Sequence, residues 1–177
     1  MKKGIILFGK SGCGKTTLLK IIDANFRYTN LVSTTTRQPR LGEVEGVDYY
    51  FVSKEKFEDM AQRDLFVECV HHGEHAYGLQ YSEIEGREFG VVVVNPEGVK
   101  AIKAVYGDTF KAVYIDVEPR ERLVRQILRG DDIHAIVNRY DVDEWLFKDA
   151  EQLADVVINA NKMAILQVVT EVLESIR

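Results

Sequence analysis

The sequence predicts an α/β fold, in which five parallel strands form a doubly wound sheet that also carries an inserted module and a lid. Three observations lead to this prediction. Short apolar runs alternate with segments of helical spacing, the pattern of strands joined by crossover helices. A glycine-rich loop, GKSGCGKT, follows the first apolar run. Two polar segments, 34–88 and 129–139, interrupt the alternation, and we interpret them as the module and the lid.

The expected strands follow one another along the chain as short apolar runs. Residues 91–94 are four consecutive valines, a run typical of a parallel strand that is buried on both faces. The other runs are equally short and are bounded by polar residues, glycine or proline. We therefore place the five strands at residues 4–8, 31–33, 91–94, 111–116 and 155–159.

Proline positions predict where two of the helices begin. Asn95 is expected to cap a helix whose first residue is Pro96, because a proline there loses no helical hydrogen bond. Pro119 is expected to open a second helix that runs to about Leu128. An amphipathic pattern over residues 163–176 predicts a closing helix.

The two interrupting segments divide the chain. In the first, residues 49–52 and 65–70 look like strands, whereas the second reads as a polar loop between helices. Trp145 and Phe147 are expected to pack the helix after that loop against the core. The predicted division is a core of residues 1–33 and 89–177, a module of residues 34–88 and a lid of residues 129–139.

Composition limits the classes of function. The chain has 177 residues, a formal net charge of −5 and a pI near 5.4, which argues against nucleic-acid binding and against an anionic membrane surface. No apolar stretch is long enough to span a membrane. Its two cysteines, Cys13 and Cys69, indicate no disulfide framework, and a reducing, cytoplasmic setting is expected.

The glycine-rich loop fits the phosphate-binding pattern G-x-x-x-x-G-K-[ST], with Gly9, Gly14, Lys15 and Thr16 at the required positions. Its place between a strand and a helix lets backbone N–H groups surround a phosphate at the helix N-terminus. Lys15 would neutralise the β- and γ-phosphate oxygens, and the Thr16 hydroxyl would hold Mg²⁺. The sequence thus predicts a P-loop fold that binds a nucleoside triphosphate with Mg²⁺.

A second group of charged residues begins the inserted module. Arg37 and Arg40 are braced by a proline between them, and Tyr49 adds a hydroxyl donor, a set that suits the capture of a phosphate. From residue types alone the alternative stays open that this is a solvated loop in which the arginines pair with Glu43 or Glu45.

The run from residue 33 to residue 53, S-x-x-T-R-x-P-R-x-G-E-x-x-G-x-D-Y-x-F-V-S, resembles the nucleotide-monophosphate site of guanylate kinases. The resemblance continues through residues 66–68, 77–78 and 98–100, the arginine-bearing helix and residues 157–159, so that it covers nearly the whole chain. It implies in-line phosphoryl transfer from ATP to GMP, giving ADP and GDP.

The resemblance also implies individual roles. Lys15, Arg40, Arg129 and Arg139 would be catalytic, with Arg125, Arg129 and Arg139 as lid arginines. ATP would contact Gly9, Ser11, Gly12, Cys13, Gly14, Lys15, Thr16, Thr17, Arg125 and Asn159. GMP would contact Ser33, Arg37, Arg40, Glu43, Tyr49, Glu68, Tyr77, Leu79 and Asn95, with Glu68 accepting hydrogen bonds from guanine N1–H and its amine.

The chain departs from the guanylate kinase pattern at two places. Leu79 stands where the family usually has serine or threonine, and Val93-Val94-Asn95 replaces its D-x-D. A kinase for another ribo- or deoxynucleoside monophosphate is therefore an alternative. A peptide-binding domain without activity is a further one, although Lys15 and Thr16 favour an enzyme. The expected partners are ATP and GMP or another nucleoside monophosphate, and the chain is expected to be a monomer or a homodimer.

Overall fold

A computed structural model describes residues 3–176. Its strands are β1 (Lys3–Phe8), β2 (Thr29–Asn30), β3 (Thr34–Thr35), β4 (Tyr50–Phe51), β5 (Phe66–His72), β6 (His75–Gln80), β7 (Phe89–Val93), β8 (Phe110–Asp116) and β9 (Val156–Asn159). Its helices are α1 (Lys15–Asn25), α2 (Lys54–Gln62), α3 (Tyr81–Ile84), α4 (Pro96–Tyr106), α5 (Pro119–Leu128), α6 (Ile133–Leu146), α7 (Ala150–Leu153) and α8 (Ile165–Ser175). Within this range no helix has the length and apolar character needed to cross a membrane.

The larger sheet has the strand order β2-β7-β1-β8-β9 and is parallel throughout. This confirms the predicted five-stranded parallel sheet. Leu7 of β1 lies beside Val93 on one side and Val113 on the other, so the three central strands end at the same edge. Ligands of open α/β sheets bind beyond that carboxyl edge.

Side chains of β1 alternate between two apolar layers, as a strand buried on both faces requires. Ile5 and Leu7 pack in one cluster with α1 and α8, whereas Ile6 and Phe8 pack in the other with α4. All four side chains are fully buried. The central strand is therefore held rigidly, and so is the start of the glycine-rich loop that follows it.

Both proline-based predictions of helix starts are confirmed. Pro96 is the first residue of α4, and the Asn95 side chain accepts a hydrogen bond from the Gly98 N–H at 2.8 Å. Pro119 opens α5, which ends at Leu128 as expected. These signals are local, because a capping side chain needs only the next few backbone groups.

The second strand is displaced from its expected position. It pairs with β7 through Thr29 and Asn30 rather than through residues 31–33, although the Leu31 N–H still donates to the Val91 carbonyl at 2.9 Å. The next N–H, that of Val32, donates instead to the Glu83 carboxylate at 3.0 Å. The chain therefore leaves the sheet at Val32.

The lid segment is mostly helical, so the prediction of a polar loop over residues 129–139 is wrong from Ile133 onward. Helix α6 begins there, and the Asp132 side chain caps it by accepting from the Ala135 N–H at 2.9 Å. The packing prediction is confirmed for Phe147, which is buried, and wrong for Trp145, which is 68% exposed.

Residues 34–80 form a second, four-stranded sheet with the order β4-β3-β6-β5. The two strand-like runs of the sequence correspond to β4 and β5 with shifted ends, and β6 was not predicted. Glu83, which is 7% exposed, joins this part to the core. Its two carboxylate oxygens accept from the Val32 N–H and, at 2.9 Å, from the Tyr50 hydroxyl.

Candidate active site

The glycine-rich loop connects the end of β1 to the start of α1 and packs closely against α5. Gly12 has φ of +80°, and a Cβ atom there would lie 2.6 Å from the Arg122 carbonyl oxygen. Gly14, with φ of +100°, precedes the first helical residue. Glycine is needed at both positions because other residues rarely adopt this left-handed conformation.

Lys15 folds back over this loop. Its Nζ donates to the Gly9 carbonyl at 2.5 Å and to the Lys10 carbonyl at 3.2 Å, and it lies 3.5 Å from the buried Cys13 sulfur. Thr16 and Thr17 are exposed at the start of α1. The ammonium group therefore lies against two backbone carbonyls of the loop, and an anion in the cleft can replace them as its partner.

The arginine cluster lies across the cleft, at the start of the inserted module. Arg37 Nη2 bonds to Glu43 Oε1 at 2.8 Å, and Glu43 Oε2 accepts from the Arg40 N–H at 2.7 Å. Burial by itself raises the pKa of Glu43, but the hydrogen bonds from the Arg37 side chain and the Arg40 N–H, together with the charges of both arginines, hold this pKa below its usual value. The residue types alone allowed the arginines to pair with a glutamate, and the structure contains such an ion pair between Arg37 and Glu43, which holds the arginine loop in place.

Two tyrosines extend this cluster. The Arg37 guanidinium lies 5.4 Å from the centre of the Tyr49 ring, which meets the Tyr77 ring edge-on with centres 6.0 Å apart. Burial raises the pKa of the Tyr49 hydroxyl, so this group stays protonated and can donate a hydrogen bond. Residues from β6 and from the loop before β4 thus converge with the arginines.

Glu68 is a buried carboxylate on β5 that is 5% exposed. Its Oε2 atom has no hydrogen-bond partner among the described residues. Burial raises the pKa of Glu68 to about 7, although the backbone N–H of Leu79 on the facing strand opposes this change. An unpartnered carboxylate oxygen in a cleft is an acceptor held ready for a ligand's N–H group.

Leu79 itself does not reach the cleft. Its side chain is fully buried in the apolar cluster that also contains Phe8, Val67 and Val92. Only its backbone faces Glu68. Asn95 does line the cleft, but its side-chain oxygen is occupied by the cap of α4.

The three lid arginines are placed differently. Arg125 lies against the glycine-rich loop, with Nη1 3.4 Å from the Cys13 carbonyl. Arg129 is held by the Asp131 carboxylate through both Nε and Nη2. Arg139, on α6, lines the cleft. Asn159 lies apart from these at the end of β9, where its exposed side chain accepts from Asn161.

Two adjoining cavities form one cleft between the loop and the arginine cluster. Both are lined by Ser33, Arg40, Tyr49 and Tyr77. The first also contains Thr16, Arg37 and Glu43, and the second contains Gly9, Ser11, Lys15, Glu68, Asn95 and Arg139. The structure therefore brings most of the expected residues to one cleft.

Sequence reasoning missed several polar residues of the cleft, among them Asp143 of α6, which is 4% exposed and accepts from the Ser11 N–H at 2.6 Å. Helical spacing could have found it, because it lies four residues after Arg139 and therefore on the same face. Treating residues 129–139 as a loop concealed that relationship.

Comparison with known proteins identifies the family that this chain resembles. The family described as guanylate kinase matches residues 1–176. A guanylate kinase of Clostridioides difficile is 38% identical over 149 residues, covering 78% of this chain and 71% of that protein. One of Prochlorococcus marinus is 32% identical over 145 residues, covering 78% of each. The crystal structure of guanylate kinase from Anaplasma phagocytophilum shares the fold, with a TM-score of 0.75 at 22% identity over 99% of this chain and 84% of that one.

Proposed function

This chain belongs to the guanylate kinase family, and we propose from that premise which of its residues transfer a phosphoryl group from ATP to GMP. The enzyme is an ATP:GMP phosphotransferase that yields ADP and GDP. The main support for these residue assignments is that the two cavities form one continuous cleft. It places the phosphate-loop lysine, an arginine cluster and an unpartnered carboxylate around one space.

ATP would occupy the side of the cleft at the glycine-rich loop. Backbone N–H groups of the loop from Gly9 to Thr17, other than that of Ser11, which bonds to Asp143, would surround its phosphates at the N-terminus of α1. Lys15 would exchange its two carbonyl partners for β- and γ-phosphate oxygens, a charge-assisted bond that is stronger than the bond it replaces. Arg125 lies beside the loop and would meet the same phosphates, and Asn159 would lie near the adenine.

GMP would occupy the opposite side. Arg37, Arg40, Tyr49 and Tyr77 would hold its phosphate, with Glu43 keeping the arginine loop in place. Glu68 would accept from guanine N1–H and the exocyclic amine, which would satisfy the Oε2 atom that now has no partner. Adenine presents an acceptor at N1, so AMP would leave the carboxylate buried and unpaired. Ser33 and Asn95 would border the base, whereas Leu79 would act only through its backbone N–H.

Transfer between the two sites would rest on position and charge. With the acceptor phosphate aligned to the γ-phosphoryl group, no covalent intermediate and no strong base are required. Arg40, Arg129 and Arg139 would neutralise the oxygens of the transferring group. This role requires Arg129 to leave Asp131, so we propose that residues 129–139 act as a lid and residues 34–88 as a module that closes over the nucleotides.

The residues present fit a magnesium ion that arrives with ATP. Thr16 offers an exposed hydroxyl in the cleft, and among the side chains that the structure describes no three of His, Cys, Asp or Glu are grouped to hold a metal. Mg²⁺ commonly binds through substrate phosphates and few protein ligands. When bound, it would neutralise charge on the phosphate oxygens. The free Cys13 in the loop suits a reducing compartment, and we propose that the enzyme acts in the cytoplasm.

A coupled assay of ADP release tests these assignments, with ATP and a panel of GMP, dGMP, AMP, CMP and UMP. We expect the highest kcat/KM with a guanine nucleotide and a loss of that preference in Glu68→Gln. Preference for AMP or a pyrimidine would identify a kinase for another monophosphate. ATP binding without transfer to any of the five would identify an inactive binding domain.

A further inference from the structure

The last two turns of α6 carry three side chains that meet the glycine-rich loop or the cleft beside it. Arg139 and Asp143 are separated by four residues, so they project from the same face of the helix. Both line the cavity that contains Lys15. The next residue, Glu144, lies beside Lys10 at the start of the loop.

Two consecutive loop residues are thus held by two consecutive helix residues. Asp143 Oδ2 accepts from the Ser11 N–H at 2.6 Å, and Glu144 Oε2 accepts from Lys10 Nζ at 2.6 Å. The other oxygen of Glu144 bonds to Arg122 Nη2 at 3.0 Å. Burial by itself raises the pKa of Glu144, but these two cations hold it below its usual value.

The contact made by Asp143 is the more deeply buried of the two. The side chain is 4% exposed, and it borders a cavity that is proposed to hold phosphate groups, which are negatively charged as the carboxylate is. A buried carboxylate is costly unless its hydrogen bonds compensate. What the carboxylate contributes here is a short bond that fixes one backbone group of the phosphate loop against α6.

We propose that Asp143 is a positioning residue for phosphoryl transfer, a role that rests on the proposed function. Its bond to the Ser11 N–H keeps the glycine-rich loop in the conformation that receives phosphates. The same bond sets the place of Arg139, one helical turn earlier, over that loop. The C-terminal end of α6 is thereby tied to the loop, while its N-terminal end follows the lid residues 129–132. The lid moves about a fixed point at Asp143.

The test compares three substitutions with a matched control. Asp143→Ala removes the acceptor, Asp143→Asn keeps an acceptor without the charge, and Asp143→Glu keeps the charge but displaces it by one methylene. Asp141→Asn, on the exposed part of the same helix, is the control. Calorimetry with Mg-ATP alone and steady-state kinetics with ATP and GMP are measured for each protein, with thermal unfolding to establish that each is folded.

We expect Asp143→Ala to lower kcat and weaken Mg-ATP binding by about tenfold each, because ångström-scale misplacement has effects of this order. KM for GMP should stay within about twofold, since the hydrogen bond of Asp143 goes to the glycine-rich loop rather than to the arginine cluster or Glu68. Asp143→Asn should recover most of the loss, and the control should match the unmodified enzyme. Asp143→Glu should resemble the alanine variant in kcat. If the alanine variant does not fold, the glutamate variant takes its place in the comparison.

A double-mutant cycle with Arg139→Ala tests the coupling. In that background, replacing Asp143 by alanine should lower kcat by only a few-fold rather than about tenfold, because only its effect on the glycine-rich loop remains. Independent, multiplicative effects would overturn the proposal, and so would an Asp143→Asn variant as impaired as the alanine variant. Loss of stability with unchanged kinetics would also overturn it. If the unmodified enzyme phosphorylates none of the five monophosphates, the proposed function fails, while Mg-ATP binding by the variants still decides the inference.

Discussion

Replacing Glu68 by glutamine should change how the stability of the nucleotide-free enzyme depends on pH. The carboxylate is 5% exposed, one of its oxygens has no partner among the residues that the structure describes, and burial raises its pKa from 4.5 to about 7. The folded protein therefore holds a proton that the unfolded chain releases between these two values. Stability falls as pH rises through this range, because the folded state binds more protons there.

The pKa difference sets the size of the effect. Each pKa unit corresponds to about 1.4 kcal/mol, so a rise from 4.5 to about 7 makes the ionised carboxylate cost ~3 kcal/mol above pH 7. Below pH 4.5 this cost is absent. Glutamine does not titrate and escapes it, although its amide still lacks a partner at every pH. The difference between the two proteins should therefore change by ~2–3 kcal/mol between pH 5 and pH 8 in favour of the glutamine variant.

Denaturant unfolding of both proteins at pH 5 and pH 8, without nucleotide, measures this change. Other titrating groups cancel in the comparison, and Glu58→Gln, an exposed substitution on α2, serves as the control. A change of ~2–3 kcal/mol corresponds to a shift in Tm of roughly 4–12 °C for a chain of this size. A pH-dependent change below about 0.5 kcal/mol would show that Glu68 is ionised at little cost in the folded state, and the reasoning would be refuted.

Three further outcomes are expected. Lys15→Ala should abolish transfer while leaving the fold intact, because the cation at the phosphates is lost. The control is Lys54→Ala, at an exposed position of α2. Near-normal activity of the Lys15 variant in the ADP assay would contradict the proposed role of Lys15. Asp131→Asn should release Arg129 and lower KM for ATP by a few-fold, since a partly exposed ion pair of about 0.2–1 kcal/mol no longer competes with the nucleotide; an unchanged or raised KM would contradict this. Leu79→Ser should cost about 2–5 kcal/mol in unfolding free energy, because the side chain is fully buried, and a variant with unchanged stability and sharper selectivity for GMP would place residue 79 in the base pocket instead.

Elements with local signals were predictable from the sequence. The valine run of β7 and the prolines that open α4 and α5 were found because each signal depends on a few adjacent residues. The glycine-rich loop was recognised for the same reason. The parallel arrangement of the five strands followed from their alternation with helices.

Elements that depend on distant contacts were not predictable. Strand β6 has few β-branched residues and owes its form to pairing with β5 and β3. The chain leaves the sheet at Val32 because of a carboxylate that lies 51 residues away. In the site, the burial of Leu79 and the contact between Asp143 and Ser11 both join segments that are remote in sequence.

The position of Glu83 has a consequence for how the enzyme unfolds. One buried carboxylate bonds a core amide, that of Val32, and a hydroxyl of the inserted segment, that of Tyr50. Glu83 itself belongs to residues 34–88, so melting this module alone would remove the carboxylate from the Val32 N–H and leave a buried core amide without its partner, at a cost of about 1–3 kcal/mol. The two parts are therefore tied into one cooperative unit, whose melting curve has a single transition even though its strands belong to two separate sheets.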